Sequence, residues 1–159
     1  MKRFSFFLWI AVLVAVFPLR AEGASIVLKD NWVVSNADGS IRCDASVPST
    51  VAGALDAAHF WGEGLMEGMR YAGADKSIFD TVWTYSTRFA AAPVRGRHYE
   101  LVFDGLNYYA DIFLNGEQIA ASDTTFGVFI RRAYDATGLL KSRNTLEVKL
   151  RRAQPGDLN

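Results

Sequence analysis

The sequence predicts an all-β protein over residues 24–159, an antiparallel jelly-roll sandwich with one short helix, with residues 1–23 read as a signal peptide ahead of it. Three observations lead there. Beyond residue 24 the apolar residues recur with a period of two, an Asn-Gly pair joins two of the alternating segments, and only one short window has helical spacing.

Trp83-Thr84-Tyr85-Ser86-Thr87-Arg88-Phe89 places Trp83, Tyr85, Thr87 and Phe89 on one face and Thr84, Ser86 and Arg88 on the other, because side chains alternate along a strand. Residues 99–104 and 146–150 alternate in the same way, the second with Glu147 and Lys149 toward water. Residues 109–114 and 118–121 flank Asn115-Gly116, the pair best suited to the two positive φ angles of a type I′ hairpin turn. The one helix starts at Pro48-Ser49-Thr50, which supplies an N-terminal cap to Val51, Ala54, Leu55 and Ala58. Residues 61–75, with Gly62, Gly64, Gly68 and Gly73, read as a long loop. Residues 135–140 read as a capped single turn before the last strand. Hairpins and irregular crossings with little helix are the pattern of a jelly roll.

Met1-Lys2-Arg3, an apolar run over residues 4–19 and then Arg20-Ala21-Glu22-Gly23-Ala24 have the charged, apolar and small-residue parts of a secretory signal, with cleavage expected after Gly23. A membrane-spanning helix needs about 20 apolar residues and this run is shorter, so the chain is expected to be secreted or periplasmic, with no stable membrane anchor. Cys43 is the sole cysteine, so it forms no internal disulfide and reads as a buried, inert small side chain. Lys plus Arg equals Asp plus Glu at 17 each, and beyond residue 24 the basic doublets are Arg131-Arg132 and Arg151-Arg152, which excludes a polyanion footprint and hence nucleic acid as a partner.

A search for reactive chemistry assigns no catalytic residue. His59 and His98 do not combine with Cys43 at metal-ligand spacing, and no nucleophile elbow, phosphate loop or dinucleotide fingerprint occurs, so no metal and no cofactor is expected. Asp104 and Asp111 are available as a carboxylate pair, but on strands beside polar turns they read as solvated or capping. Sugar rings stack on aromatic faces, which makes Trp61, Tyr71, Trp83, Tyr85, Tyr108 and Tyr109 candidates. Trp83 and Tyr85 share the face of Phe89 and belong to the core by alternation; Trp61 and Tyr71 lie in the Gly-rich loop, where exposure to a ligand is expected. Residue chemistry alone leaves three readings open: part of an enzyme, an independent carbohydrate-binding module, and a structural sandwich.

The order of segments adds more. Val47-Pro48-Ser49-Thr50-Val51, Gly68-Met69, Trp83 to Phe89, the run Leu-Val-Phe-Asp-Gly-Leu-Asn-Tyr-Tyr-Ala-Asp-Ile-Phe-Leu-Asn-Gly from Leu101 to Gly116, and then Tyr134-Asp135-Ala136-Thr137 and Asn144-Thr145-Leu146-Glu147-Val148 together resemble the sugar-binding, galactose-binding-like domain of glycoside hydrolase family 2. The Val47 to Val51 and Trp83 to Tyr85 segments look most like the β-mannosidase and exo-β-glucosaminidase branch. The resemblance implies a multidomain retaining β-glycosidase in which this jelly roll precedes an immunoglobulin-like domain and a (β/α)₈ barrel. Two barrel glutamates would act as acid/base and nucleophile, and neither lies in this chain. It also implies that the first domain sends a loop carrying an Asp-Trp-Asn type motif to the mouth of the barrel. The stretch Pro155-Gly156-Asp157-Leu158-Asn159 looks like the approach to that loop, so Asp157 and Asn159 are the expected substrate-binding residues. Asn107 and Asn115 are read as structural. This chain by itself is expected to be inactive, with a β-linked glycan as partner only through the longer enzyme.

Overall fold

The computed structural model describes residues 25–62 and 68–157, so the expected signal peptide and Asn159 lie outside the described residues. Eight strands follow in chain order: β1 Trp32–Asn36, β2 Arg42–Ala45, β3 Trp83–Ala90, β4 Glu100–Phe103, β5 Tyr109–Leu114, β6 Glu117–Ala120, β7 Arg132–Asp135 and β8 Arg143–Arg151. All paired strands run antiparallel. One sheet has the order β2-β1-β3-β8-β5-β6, and the second is the pair β4-β7.

The period of two decides how the layers meet. In β3 the alternation buries Trp83, Tyr85 and Thr87, in β5 it buries Ala110, Ile112 and Leu114, and in β8 Asn144, Leu146 and Val148. In-register pairs such as Tyr85↔Val148 and Ile112↔Val148 put these side chains on one face of the large sheet. Leu101, Phe103 and Tyr134 of the small sheet pack against that core, with the Phe103 and Tyr134 rings 6.1 Å apart in an edge-to-face arrangement. The opposite face of the large sheet carries Asp111, Glu147 and Lys149, so a one-residue slip in register would drive charges inward.

The predicted helix is α1, Val51–Ala57; Thr50 Oγ1 accepts the Gly53 N–H at 3.0 Å, and Ala54 and Leu55 are buried beneath it. The hairpin forms at Asn115 (φ 54°) and Gly116 (φ 86°), both in the left-handed region that a type I′ turn demands. Ile112 faces Ala120 while Phe113 faces Gln118, which leaves Ile119 as an extra residue and makes a β-bulge. The predicted turn after Asp135 is present: Asp135 Oδ1 accepts the Thr137 N–H at 2.8 Å, and the Leu139 and Leu140 N–H groups both reach Ala136 O.

Three strands are additions to the sequence reading. β1 and β2 form a hairpin whose turn is closed by Asp38 Oδ1, accepting from Ser40 N at 3.0 Å and Ser40 Oγ at 2.7 Å. β7 occupies residues just before the predicted turn and pairs with β4. In the described part of the predicted loop over residues 61–75, Arg70–Gly73 forms a single helical turn, α2, and a 3₁₀ turn follows the loop at Ser77–Phe79. Trp61 is not the exposed sugar platform that its Gly-rich neighbourhood suggested. Its ring is half-buried against the core, 5.1 Å from Phe60 and 6.3 Å from Phe79.

Candidate functional site

Asp157 is placed by Tyr109, which opens β5, and by Tyr108 just before it. Tyr109 Oη donates to Asp157 Oδ1 at 2.7 Å and Tyr108 Oη donates to the Asp157 carbonyl at 3.1 Å. The other carboxylate oxygen accepts the Gln154 N–H, and the Asp157 N–H returns to Gln154 O at 3.1 Å, so the carboxylate closes a turn over residues 154–157. The Arg151 guanidinium lies 5.2 Å from the centre of the Tyr109 ring, a cation–π contact on the same cluster. The hydrogen bond to Asp157 holds the Tyr109 phenol above its ordinary pKa, because ionising it would set two negative groups side by side. Both Asp157 oxygens are therefore engaged within this domain. The carboxylate fixes the path of the chain as it leaves β8.

Next to this turn lies an open groove of about 280 Å³ bounded by Phe79, Asp80, Thr81, Arg151, Arg152 and Gln154. Arg152 forms an ion pair with Asp80, which also borders a second open groove, of about 360 Å³, between Asp38, Ile41 and Ile78. The first groove offers guanidinium and amide donors and one aromatic edge, the functional groups that recognise sugar hydroxyls. Its described lining holds one carboxyl, that of Asp80, which is paired with Arg152, whereas retaining glycosidic cleavage uses two carboxyls on either side of the bond.

The other candidates resolve one by one. Asp104 is almost wholly exposed and faces Arg131 at 3.6 Å, while Asp111 accepts the Ser122 N–H at 2.8 Å; each has its own partner and they share none. His98 is exposed, with Nδ1 3.0 Å from Thr137 Oγ1 and Nε2 3.4 Å from Glu100 Oε1, the surroundings of a surface turn. Trp83 and Tyr85 are core residues as the alternation required, and burial pushes the Tyr85 phenol up to about 12. Cys43 is half-buried on β2 rather than buried, and that burial, with Asp44 beside it, raises its thiol pKa. Asn115 is structural: its amide donates to Leu139 O at 2.8 Å and Asn144 Oδ1 at 2.9 Å, and its oxygen accepts the Thr145 N–H at 2.9 Å. Among the described residues no three His, Cys, Asp or Glu side chains gather as a metal-ligand set, and no helix is long and apolar enough to cross a membrane.

A family model described as the glycosyl hydrolase 2 galactose-binding domain-like domain matches residues 32–157, from the first strand to the turn closed by Asp157. The chain belongs to that family. Among curated proteins similar to this family member, the β-mannosidase of Rattus norvegicus is 32% identical over 138 residues, which is 84% of this chain and 15% of that protein. The exo-β-D-glucosaminidase of Hypocrea jecorina is 38% identical over 72 residues, 45% of this chain and 8% of that protein. Among solved structures, the β-D-mannosidase of Dictyoglomus thermophilum superposes with a TM-score of 0.65 at 23% identity, over 78% of this chain and 15% of that one. The exo-chitosanase CsxA of Amycolatopsis orientalis superposes with a TM-score of 0.70 at 18% identity, over 83% and 17%. The galactose-binding-like domain is thus a small fraction of the length of the relatives it matches, and these structures share its fold.

The arrangement that sequence reasoning missed is the cluster of Tyr108, Tyr109, Arg151 and Gln154 around Asp157. Tyr109 and Asp157 are 48 residues apart in the chain. The local signal was limited to two adjacent tyrosines at the start of a strand, which reads equally well as core packing.

Proposed function

We propose that this chain is the N-terminal ancillary domain of a secreted, retaining β-glycosidase of family 2, of the β-mannosidase or exo-β-glucosaminidase kind, and that it helps to shape the substrate pocket of the longer enzyme. The observation that carries this reading is the family match from Trp32 to Asp157 combined with the small share, 8–15%, that the matched part occupies in the β-mannosidase and exo-β-glucosaminidase relatives. The geometry supports it from a second side. The groove at Arg151, Arg152 and Gln154 is open to solvent, and a ligand lying in an open groove leaves much of its surface in water. Closure by a second domain would supply the other wall, and immunoglobulin-like and barrel domains downstream are the expected partners. In this scheme Asp157 and Asn159 are the residues of this chain nearest to the sugar. The apolar run over residues 4–19 supports export with cleavage after Gly23.

The test is to express the complete reading frame and the same protein lacking residues 25–157, and to assay both on aryl β-mannoside, β-glucosaminide, β-galactoside and β-glucuronide. Hydrolysis with retained anomeric configuration by the first, and a large loss of kcat/KM in the second, is the expected result. Full activity without residues 25–157 would sink the pocket-shaping role, and mature protein that keeps residues 1–23 would sink export.

A further inference from the structure

Several arginines are used by the fold itself. Arg131 faces Asp104, Arg152 is paired with Asp80, Arg132 donates to two backbone carbonyls, and Arg151 reaches Ser122 and the Tyr109 ring. Arg88, Arg95, Arg97 and Arg143, together with Lys141, are exposed and have no side-chain partner among the described residues. The fold gathers these five. Residues 88–98 carry Arg88, Arg95, Arg97 and His98, residues 136–146 carry Lys141 and Arg143, and neither stretch contains an Asp or Glu. The antiparallel register sets the two stretches side by side: Arg88 pairs with Thr145, Ala90 with Arg143, and Ala91 N donates to Ser142 O at 3.2 Å. Arg88 and Arg143 both project from the outer face of the large sheet, since they alternate with buried Thr87 and Asn144. His98 Nδ1, 3.0 Å from Thr137 Oγ1, joins the far end of the first stretch to the second. Glu100 and Asp135, which border the two stretches, face His98 at 3.4 and 3.6 Å, and Glu117 and Glu147 form no ion pair with the five cations among the described residues.

Like charges gathered without counter-charges repel one another at a cost in stability, and most protein surfaces intersperse the two signs. The balance of 17 against 17 along the sequence hides this end of the molecule, because the expectation of no polyanion footprint rested on basic runs and doublets, whereas the fold brings two separate stretches together. We propose that Arg88, Arg95, Arg97, Lys141 and Arg143 form a binding surface for an acidic polysaccharide. A guanidinium presents a planar fork of donors that matches the oxygens of a carboxylate or sulfate, and four of the five cations are arginines. The rings at this end are engaged: Phe89 packs against the core, and the Tyr99 hydroxyl accepts the Val94 N–H at 2.8 Å. No aromatic face there stands free for a base to stack on, which disfavours single-stranded nucleic acid. Val94, 55% exposed, is the one exposed large apolar side chain of the two stretches, too little to hold a lipid surface. The choice of a glycan rests on the reading of the chain as part of a glycosidase. The site itself goes beyond that reading, since it lies at the opposite end of the nine-residue strand β8 from the groove at Arg151, about 26 Å away at ~3.3 Å per residue.

The experiment titrates the 159-residue chain with polygalacturonate and dextran sulfate, beside uncharged dextran, a DNA duplex and phosphatidylglycerol vesicles. Binding to the two acidic polysaccharides, weakened by added salt and absent for dextran, is the expected result. Arg95→Gln with Arg97→Gln, and separately Lys141→Gln with Arg143→Gln, should each weaken that binding about fivefold or more and move the melting temperature by no more than about 1 °C. Lys29 and Arg42 are exposed cations outside the two stretches, with Asp30 and Asp44 close by in their own segments. Lys29→Gln with Arg42→Gln removes the same net charge and should change the binding less than about twofold. No binding to either acidic polysaccharide, an equal loss in the Lys29 and Arg42 variant, or equal or tighter binding to the duplex or the vesicles would overturn the proposal. Hydrolysis of the aryl glycosides by the complete reading frame is scored separately. An active enzyme that ignores both acidic polysaccharides would remove this site and leave the functional reading standing, and binding by a protein without glycosidase activity would do the reverse.

Discussion

Replacing Asn115 by Ala tests the hairpin and the last strand together. The Asn115 side chain makes three hydrogen bonds, to Leu139 O, Asn144 Oδ1 and Thr145 N, which tie the β5–β6 turn to the start of β8. At about 1 kcal/mol net for each bond they amount to roughly 3 kcal/mol, and water reaching this half-buried site returns part of that. The residue also sits at φ 54°, where Asn is tolerated better than Ala by about 1 kcal/mol. Asn115→Ala should therefore cost about 2–4 kcal/mol. Asn115→Gly relieves the backbone but loses the same three bonds, so it should recover only a small part. Urea denaturation followed by the fluorescence of the buried Trp32 and Trp83 measures this, with the slope m unchanged. A loss below about 0.5 kcal/mol for Asn115→Ala, or full recovery by Asn115→Gly, would refute the view that side-chain bonding rather than φ dominates.

Three further outcomes are expected. Ile112 is fully buried on the inner face of β5, so Ile112→Ala should destabilise by about 2–5 kcal/mol in thermal or urea unfolding; a loss under ~1 kcal/mol would mean that the two layers are loosely packed there. Tyr85 has its phenol raised from 10.0 to about 12 by burial, so its neutral form is the one that favours the fold; stability should be intact below pH 10, fall as pH rises from 10 to about 12, and lose at most ~2.7 kcal/mol through this group. The alkaline loss should shrink in Tyr85→Phe, and an unchanged profile would reject Tyr85 as its source. Asp157→Ala should return the Tyr109 phenol toward its ordinary titration and speed amide exchange over residues 154–157 while leaving β3 and β8 protected; an unmoved Tyr109 titration would show that Asp157 does not hold it.

What could be read beforehand was whatever a local rule determines. The alternation in β3 and β8, the cap at Thr50 and the two positive φ angles at Asn115-Gly116 each follow from a few neighbouring residues, and each appears where the pattern put it. β1 escaped because its buried residues are Trp32 and Val34 only, too short an alternation to stand out, and because its register is fixed by β3, about 50 residues away in the chain. β7 escaped because its outward Ala133 and inward Tyr134 gain their meaning only from pairing with β4. Trp61 misled because a Gly-rich neighbourhood says nothing about Phe79, which covers its ring. The Asp157 cluster is the clearest limit: a carboxylate near the end of the chain was picked out by resemblance, while its bonds to Tyr109 and Gln154 depend on the closed sandwich.

The central claim is that this domain contributes to glycoside hydrolysis without performing it, and turnover by the chain itself tests that most directly. Purified residues 24–159, incubated at high concentration with aryl β-mannoside, β-glucosaminide, β-galactoside and β-glucuronide, should release no more chromophore than buffer, because Asp104 and Asp111 are held by separate partners, Glu100 and Asp135 both lie beside His98 on the exposed surface, and Asp157 is closed within its own turn. Turnover above the buffer rate that disappears on changing Asp104 or Asp111 to Asn would contradict the account.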